Sequence, residues 1–329
     1  MTHTESDLCV RINRPGVPTI YPPVAEGWYL AVHVLSPPDS RHKPLQVGGA
    51  VLAFGTTLAL LAVLRRRGDP PRAPARAALW TWCPAVPFEA VNNAHIDTLG
   101  VLLAVLALGT ATAGARRGML LGAAIAVKLL PVLALPGALA GQRSPKRIAG
   151  VAMAALAAFA LAYLPYVAAS GFGVLGYLPG YLHEEGYESG HVRRFALLRL
   201  LLPGTAAGVA VVFLLALTAL YVWWRGDPAR PWSGALLLTG TALLLVSPSY
   251  PWYSLLLVAL VALDGRWEWL AVTMAGTALY LAARMLPGFP LQAWAYGTAA
   301  AAVALGACLR AGPTRRRTRW SRVPQQGER

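Results

Sequence analysis

The chain has 329 residues, of which 56% are hydrophobic and 13% are charged. Soluble domains carry about 25% charged residues, so the composition excludes a soluble globular protein. A net charge of +15 could suit nucleic acid, but the basic residues cluster in short loops between apolar runs, as in membrane proteins. No nucleic-acid-binding motif accompanies them. We therefore predict a multi-pass protein of the cell membrane that contacts membrane lipid and binds no nucleic acid.

Apolar runs of about twenty residues predict membrane-spanning helices. Residues 1–44 form an external or interfacial segment, in which Tyr21 and the two prolines after it open a helix to about Leu35. Residues 45–310 form an all-α transmembrane bundle of about 9–11 segments, and 311–329 form a basic cytoplasmic tail that we expect to be disordered. Long runs lie at 45–64, 95–113, 148–168, 204–224, 268–286 and 291–310, and shorter ones at 77–91, 231–247 and 250–263.

The segment 118–140 is long enough for one span but is interrupted by Lys128, Pro131 and Pro136. If every arginine-bearing loop is cytoplasmic, each interval between such loops holds an even number of crossings. The segment fits this rule only as a broken re-entrant hairpin with Lys128 near its tip. The alternative is a simple span with some arginines outside. The hairpin topology places four polar regions on the outer face: 92–97, Lys128, 169–203 and 248–253.

A polar stretch between two apolar runs carries Glu89, His95 and Asp97. Charge at membrane depth costs about 3 kcal/mol per residue, so such groups usually face a cavity or a partner. A carboxylate here could take a proton from a hydroxyl nucleophile or hold a phosphate-bound metal. The structural alternative is a helix start capped by Asn92 or Asn93. Asp97, Glu89 and His95 are therefore catalytic candidates, with no base assigned and a divalent metal left open.

Lys128 is a lone cation in an apolar segment. Such a cation suits the phosphate of a lipid-linked substrate. It could equally form an ion pair with Asp97 or Glu89, or extend to the membrane interface.

Two further stretches carry groups that are typical of sugar sites. The loop 181–194 is rich in carboxylates, aromatic rings and hydroxyls, although a solvated loop has the same composition. The aromatic residues of 250–253 could stack on a ligand or belong to an interfacial belt. The predicted substrate-binding residues are Tyr21, Asn92, Asn93, Lys128, Glu184, Glu185, Tyr187, Arg194, Tyr250, Trp252 and Tyr253.

Sequence signals for soluble cofactors are missing. There is no Walker-type loop, no glycine-rich dinucleotide fingerprint, no His-Glu-x-x-His helix and no Gly-x-Ser-x-Gly elbow. The three cysteines lack metal-ligand spacing. We therefore predict no soluble cofactor.

Taken in order, five segments resemble glycosyltransferase family 87, in the actinobacterial branch of the GT-C superfamily. The resemblance implies transfer of a sugar, typically mannose, from a polyprenyl-phosphate donor to an extracytoplasmic glycan or lipid acceptor. It also implies an acidic base, and cations or a metal at the leaving phosphate. The five segments are 12–25, 84–97, 128–131, 184–187 and 249–253.

The resemblance has one departure. Such enzymes usually begin with a transmembrane helix and an external loop that carries an acidic catalytic residue. Here only twenty residues precede Tyr21, and none forms an apolar span. A late start, a truncated gene or a catalytically inactive homologue would each account for this. A lipid or solute transporter, such as a flippase, is a further alternative, because buried charges and broken helices serve transport as well.

Overall fold

The computed structural model describes residues 2–3, 9–10, 19–67, 70–184, 194–282, 285 and 290–311. In these ranges the chain is an all-α bundle, as predicted, with a two-residue antiparallel pairing of β1 (Thr2–His3) with β2 (Cys9–Val10). The helices are α1 (Pro23–Leu35), α2 (Lys43–Arg67), α3 (Ala73–Thr81), α4 (Asp97–Leu108), α5 (Ala115–Ile125), α6 (Leu135–Ala138), α7 (Pro145–Ser170), α8 (Leu178–Glu184), α9 (Gly204–Arg225), α10 (Pro231–Val246), α11 (Leu255–Asp264), α12 (Leu270–Ala282) and α13 (Leu291–Ala311).

Short helical segments of other types join these elements. Val86–Asn92 is a π-helix. Helix α1, Pro23–Leu35, agrees with the helix that the sequence predicts from Tyr21 and the two following prolines to about Leu35. The 3₁₀ segments are Pro70–Arg72, Leu130–Ala134, Gly171–Leu175, Leu198–Leu200, Pro251–Ser254 and Trp267–Trp269.

Within the described ranges, three helices are each long and apolar enough to cross a membrane: α2, α7 and α9. The π-helix and α4 meet this standard together, as a pair bent by 115°. Helices α7 and α9 bury little of their surface within the protein, as expected for helices that face lipid. The helices agree with a membrane protein, while the total of 9–11 membrane segments stays a prediction.

The prediction of one continuous helix over the apolar run 77–91 is wrong, because two separate elements cover it. Helix α3 ends at Thr81 and the π-helix begins at Val86. Pro84 lies at this break, where proline disfavours helix in the residue before it, and Pro87 lies in the first turn of the π-helix, where its missing backbone donor is tolerated. The break starts a new element at the residues that carry Glu89.

Helix α11 forms the centre of the bundle. All ten of its residues are buried, and it packs against α3, α4, α10 and α12. Nine of the ten are apolar, so every side of the helix is apolar, which is the pattern of a fully buried helix. Buried Trp80 on α3 donates its indole N–H to the carbonyl of Ala53, 3.2 Å away, so its polar group is satisfied within this core.

The segment 118–140 folds back on itself as a broken helical hairpin, while its re-entrant position in the membrane stays a prediction. Arg117 near the start of α5 donates to the carbonyl of Ala138 at the end of α6, with an N···O distance of 2.8 Å. The two ends of the segment therefore lie at the same end of the bundle. Lys128 lies between the two arms and contacts Asp97 at the opposite end.

Glycines allow the first arm of the hairpin to pack closely on α7. A Cβ at Gly118 would lie 2.3 Å from the carbonyl oxygen of Val151, and one at Gly122 would lie 2.2 Å from that of Ala155. Both distances are shorter than van der Waals contact, so only glycine permits this spacing of the two backbones. The position of the hairpin therefore depends on these two residues.

We predict that Gly122→Ala lowers the free energy of unfolding by about 1–3 kcal/mol, because the new methyl group forces α5 away from α7. The matched control is Gly150→Ala on α7, where a Cβ meets nothing within 4 Å. Alanine favours helix there and should leave stability unchanged or higher. Thermal unfolding of the purified protein in detergent measures both variants. Equal midpoints for the two would contradict the close contact.

Candidate functional site

The polar residues of the predicted site meet at one end of the bundle, where α1, α4, α5 and the segment Pro251–Ser254 converge. The backbone N–H of Val24 donates to the carbonyl of Ala126, 3.0 Å away, which joins α1 to the hairpin tip. Beneath the polar groups, Ala25, Ile96 and Val127 form a small buried cluster. This apolar floor holds the three elements together independently of the polar residues above it.

Lys128 and Asp97 form an ion pair, with Nζ 2.7 Å from Oδ2. The ion pair that the sequence left open as an alternative for Lys128 is therefore present. The Asp97 side chain is 6% exposed and that of Lys128 is 20% exposed, so the ammonium group is also reachable from outside. It lies 4.9 Å from the ring centroid of Tyr253, within cation–π range.

Glu89 and His95 form a second pair, with His95 Nε2 3.4 Å from Glu89 Oε2. The side-chain amide of Asn93 donates to the same carboxylate oxygen at 3.0 Å. Ala94 has a φ of +50°, and this left-handed residue turns the chain between the π-helix and α4. Because of this turn, His95 and Asp97 can both belong to the site although they are only two residues apart.

Neither Asn92 nor Asn93 caps α4. The residue before that helix is Ile96, which makes no side-chain cap hydrogen bond, so the capping alternative is wrong. Asn93 binds Glu89 instead, and the Asn92 carbonyl accepts from the side chain of Gln46 on α2, 2.8 Å away. Both asparagines stabilise the turn that carries His95.

The two pairs follow the same arrangement. In each, an accessible nitrogen group is backed by a buried carboxylate: Lys128 by Asp97 and His95 by Glu89. Lys128 and His95 are each 20% exposed, and the two carboxylates are each 6% exposed. Asp97 and Lys128 also interact electrostatically with His95. The site therefore holds a cation and an imidazole within electrostatic range of each other, and each is paired with a buried carboxylate.

Aromatic rings form one wall of the site. The imidazole of His95 stacks on Trp252 with ring centroids 4.2 Å apart, and Tyr250 stacks on Trp252 at 4.5 Å. The hydroxyls of Tyr181 and Tyr253 are 2.6 Å apart, which links α8 to this wall. Sequence reasoning missed Tyr181, because no local pattern indicates a contact between residues 72 positions apart.

Arg194 is buried and lies among phenol groups. It interacts electrostatically with Tyr181, Tyr250 and Tyr253. Burial lowers the pKa of this guanidinium. Arg194 is therefore a second cation near Tyr253, the tyrosine whose ring faces the ammonium group of Lys128.

Tyr21 and Tyr29 bring α1 to the site. Their rings meet edge to face at 5.7 Å, and both interact electrostatically with Asp97. Burial raises the pKa of each phenol, so both keep their protons at neutral pH and can act as hydrogen-bond donors. The sequence analysis identified Tyr21 and missed Tyr29. A second tyrosine eight residues after Tyr21 was the signal that could have indicated it.

Three predicted residues receive no side-chain description. Glu184 is the last residue of α8, but its side chain lies outside what the structure describes. Glu185 and Tyr187 lie wholly outside the described residues. Their proposed contact with a sugar stays a prediction.

The acidic groups of the site do not form a metal centre in the described part of the chain. No group of three His, Cys, Asp or Glu residues there is placed to hold a metal ion. Asp97 uses one oxygen for Lys128, and Glu89 is bonded by Asn93. A divalent metal at the site stays a prediction.

Comparison with known protein families gives one match. Residues 20–248, more than two thirds of the chain, match glycosyltransferase family 87. The match covers the turn with Glu89 and Asp97, the hairpin and Arg194. Comparison with curated proteins and with solved structures gives no match.

Removal of one partner of the Lys128–Asp97 pair should leave the other charge buried without compensation. We predict that Lys128→Met lowers the free energy of unfolding by about 1–3 kcal/mol, and that Asp97→Asn in the same protein restores most of the loss. A double-mutant cycle in thermal or denaturant unfolding measures the coupling. Strict additivity of the two substitutions would mean that the pair contributes nothing to the fold.

Proposed function

The chain belongs to glycosyltransferase family 87. We propose that this membrane glycosyltransferase transfers a sugar, with mannose as the first candidate, from a polyprenyl-phosphate donor. The acceptor in this proposal is a glycan or lipid on the outer side of the cell membrane. The observation that carries it is the juxtaposition of Lys128 and His95, each backed by a buried carboxylate. A transfer reaction needs a group to stabilise the leaving phosphate and a group to accept a proton, and these two side chains suit the two tasks.

Lys128 is the proposed phosphate-binding residue. A polyprenyl-phosphate sugar carries a phosphodiester with one negative charge, and the leaving polyprenyl phosphate carries up to two. A cation fixed beside the leaving oxygen is therefore bound more strongly as the reaction proceeds, which lowers the barrier. Asp97 keeps the ammonium group in place before the donor arrives, and Arg194 adds positive charge from behind the tyrosine wall.

His95 is the proposed proton acceptor. With its Nε2 directed at Glu89, the neutral ring presents Nδ1 as the accepting nitrogen; this tautomer is inferred from the partner. The acceptor hydroxyl attacks the anomeric carbon, a new C–O bond forms, and the bond from that carbon to the phosphate oxygen breaks. The hydroxyl proton passes to His95, and Glu89 stabilises the imidazolium that results.

Trp252 is better suited to hold His95 than to hold a sugar. Its ring already stacks with both His95 and Tyr250, so these two neighbours occupy much of its surface. We assign it the task of fixing the imidazole plane. The phenol of Tyr29 is hydrogen-bonded to that of Tyr21, so Tyr21 remains as the donor for a sugar hydroxyl.

We predict that Lys128→Ala reduces sugar transfer by at least about 100-fold, the usual cost of losing one group that stabilises developing charge. The assay follows radiolabelled polyprenyl-phosphate mannose into product in proteoliposomes. Lys146→Ala, an exposed lysine at the start of α7, is the matched control and should keep full activity. Full activity in both Lys128→Ala and Asp97→Asn would overturn the site. Movement of labelled lipid across the bilayer without a covalent product would favour a transporter.

We predict that His95→Asn lowers kcat by about 10²–10⁴-fold, as expected for loss of a general base. Glu89→Gln should lower kcat less and should shift the lower limb of the pH–rate profile, because it acts through His95. His42→Asn, in the exposed stretch before α2, is the control. A loss confined to KM, with an unchanged pH profile in Glu89→Gln, would contradict the assignment of His95 as base.

A further inference from the structure

A cavity lies at the other end of the bundle, about 490 Å³ in volume. Helix α9 ends there at Arg225, α10 begins at Pro231 and α11 ends at Asp264. The site described above lies instead at the end of α10 and the start of α11. Five arginines line this arginine cavity: Arg76, Arg225, Arg230, Arg266 and Arg310.

Asp264 organises the floor of the arginine cavity. Its side chain is 4% exposed, and Oδ1 accepts from Arg230 Nη2 at 3.1 Å. The hydroxyl of Ser233 donates to the same oxygen and Arg266 donates to the other one. One buried carboxylate thus aligns two guanidinium groups and cannot neutralise both.

The remaining arginines add to this excess of positive charge. Arg76 donates to the carbonyl of Leu263 at 3.2 Å and passes over Gly265, whose φ of +86° and lack of a Cβ leave it room. Arg310 pairs with buried Glu268. Arg225 is exposed and makes no hydrogen bond or ion pair with the residues that the structure describes. Asp227 is the other acidic residue of the lining. Among the described residues, five guanidinium groups therefore meet three carboxylates, those of Asp227, Asp264 and Glu268.

Ordinary structural roles account for only part of this cluster. The pairing of Arg76 with a carbonyl in the last turn of α11 satisfies a helix terminus, as basic residues commonly do. The net excess of two positive charges agrees with the clustering of basic residues in the loops of membrane proteins, and here it surrounds a concave surface. Guanidinium groups that line a cavity can bind the oxygens of a phosphate through their paired N–H donors.

Aromatic residues place the mouth of the cavity at the level of lipid headgroups. Tyr221 lines the cavity and is 58% exposed, and Trp224 on the same helix is 55% exposed. Arg143 lies over the Trp224 ring, 4.1 Å from its centroid. Exposed Tyr and Trp on a lipid-facing helix are typical of the membrane–water boundary. Basic pockets between helices at this level are where anionic lipid headgroups bind.

We propose that the arginine cavity binds the phosphate of an anionic glycerophospholipid. This inference does not depend on the sugar transfer proposed above, since it concerns the opposite end of the bundle. The bound lipid would link α3, α9, α10 and the end of α13 through one shared anion. It should therefore stabilise the protein when present in the surrounding bilayer.

The test uses the full chain in nanodiscs of phosphatidylcholine with increasing phosphatidylglycerol, and it measures the thermal midpoint and bound lipid by native mass spectrometry. We expect phosphatidylglycerol to raise the midpoint of the wild-type protein. Arg225→Gln should weaken lipid binding about fivefold, the effect of one basic residue near an anionic surface. Arg147→Gln, an exposed arginine in the first turn of α7 outside the cavity, is the matched control and should bind normally.

Three outcomes would overturn the proposal. Equal weakening in Arg225→Gln and Arg147→Gln would show general surface attraction rather than a site. Equal stabilisation in phosphatidylglycerol and in phosphatidylcholine would exclude recognition of an anionic headgroup. A midpoint raised by millimolar inorganic phosphate, with no preference among lipids, would assign the cavity to a soluble phosphate instead. Because Arg225 is exposed, folding of its variant is not at risk, and circular dichroism verifies this.

Discussion

The ion pair between Lys128 and Asp97 is the interaction on which the site depends. Lys128 lies at the tip of a hairpin that enters and leaves at the same end of the bundle. An ammonium group at that depth without a partner would cost several kcal/mol. Asp97, at the first position of α4, removes this cost and fixes how far the hairpin extends. The glycines of α5 set its distance from α7, and the ion pair sets its depth.

The same electrostatic principle explains why the site is both stable and able to react. A buried carboxylate beneath an accessible cation or imidazole is compensated when the site is empty. The accessible partner can then exchange part of that interaction for a ligand, because its exposed side is not committed to the protein. Lys128 with Asp97 and His95 with Glu89 both follow this principle. A fully buried ion pair would be equally stable, but it could not contact a ligand.

Much of this arrangement was predictable from the sequence, and the reasons for the failures are physical. The parity of arginine-bearing loops predicted the hairpin, and the cost of buried charge indicated Lys128 and the turn at residues 92–97. The capping role of Asn92 and Asn93 was wrong, because the left-handed Ala94 lets Asn93 fold back on Glu89. No local pattern encodes a left-handed alanine. The contact of Tyr181 with Tyr253 depends on the three-dimensional approach of distant segments, which apolar periodicity does not specify.

The direction of the short central helices explains why the two ends of the bundle differ. Helices α4 and α11 both begin at the end with Lys128, so their positive dipole ends favour anions there. Lys128 and Arg194 add positive charge at that end. At the other end, α9 and α11 finish with carbonyl groups that carry partial negative charge, and the N–H groups at the start of α10 offset part of it. Arginines must first compensate those carbonyls and Asp264, and only the surplus can bind an anion. One side of the bundle therefore uses few cations and the other uses many, although phosphate is the proposed ligand class at both.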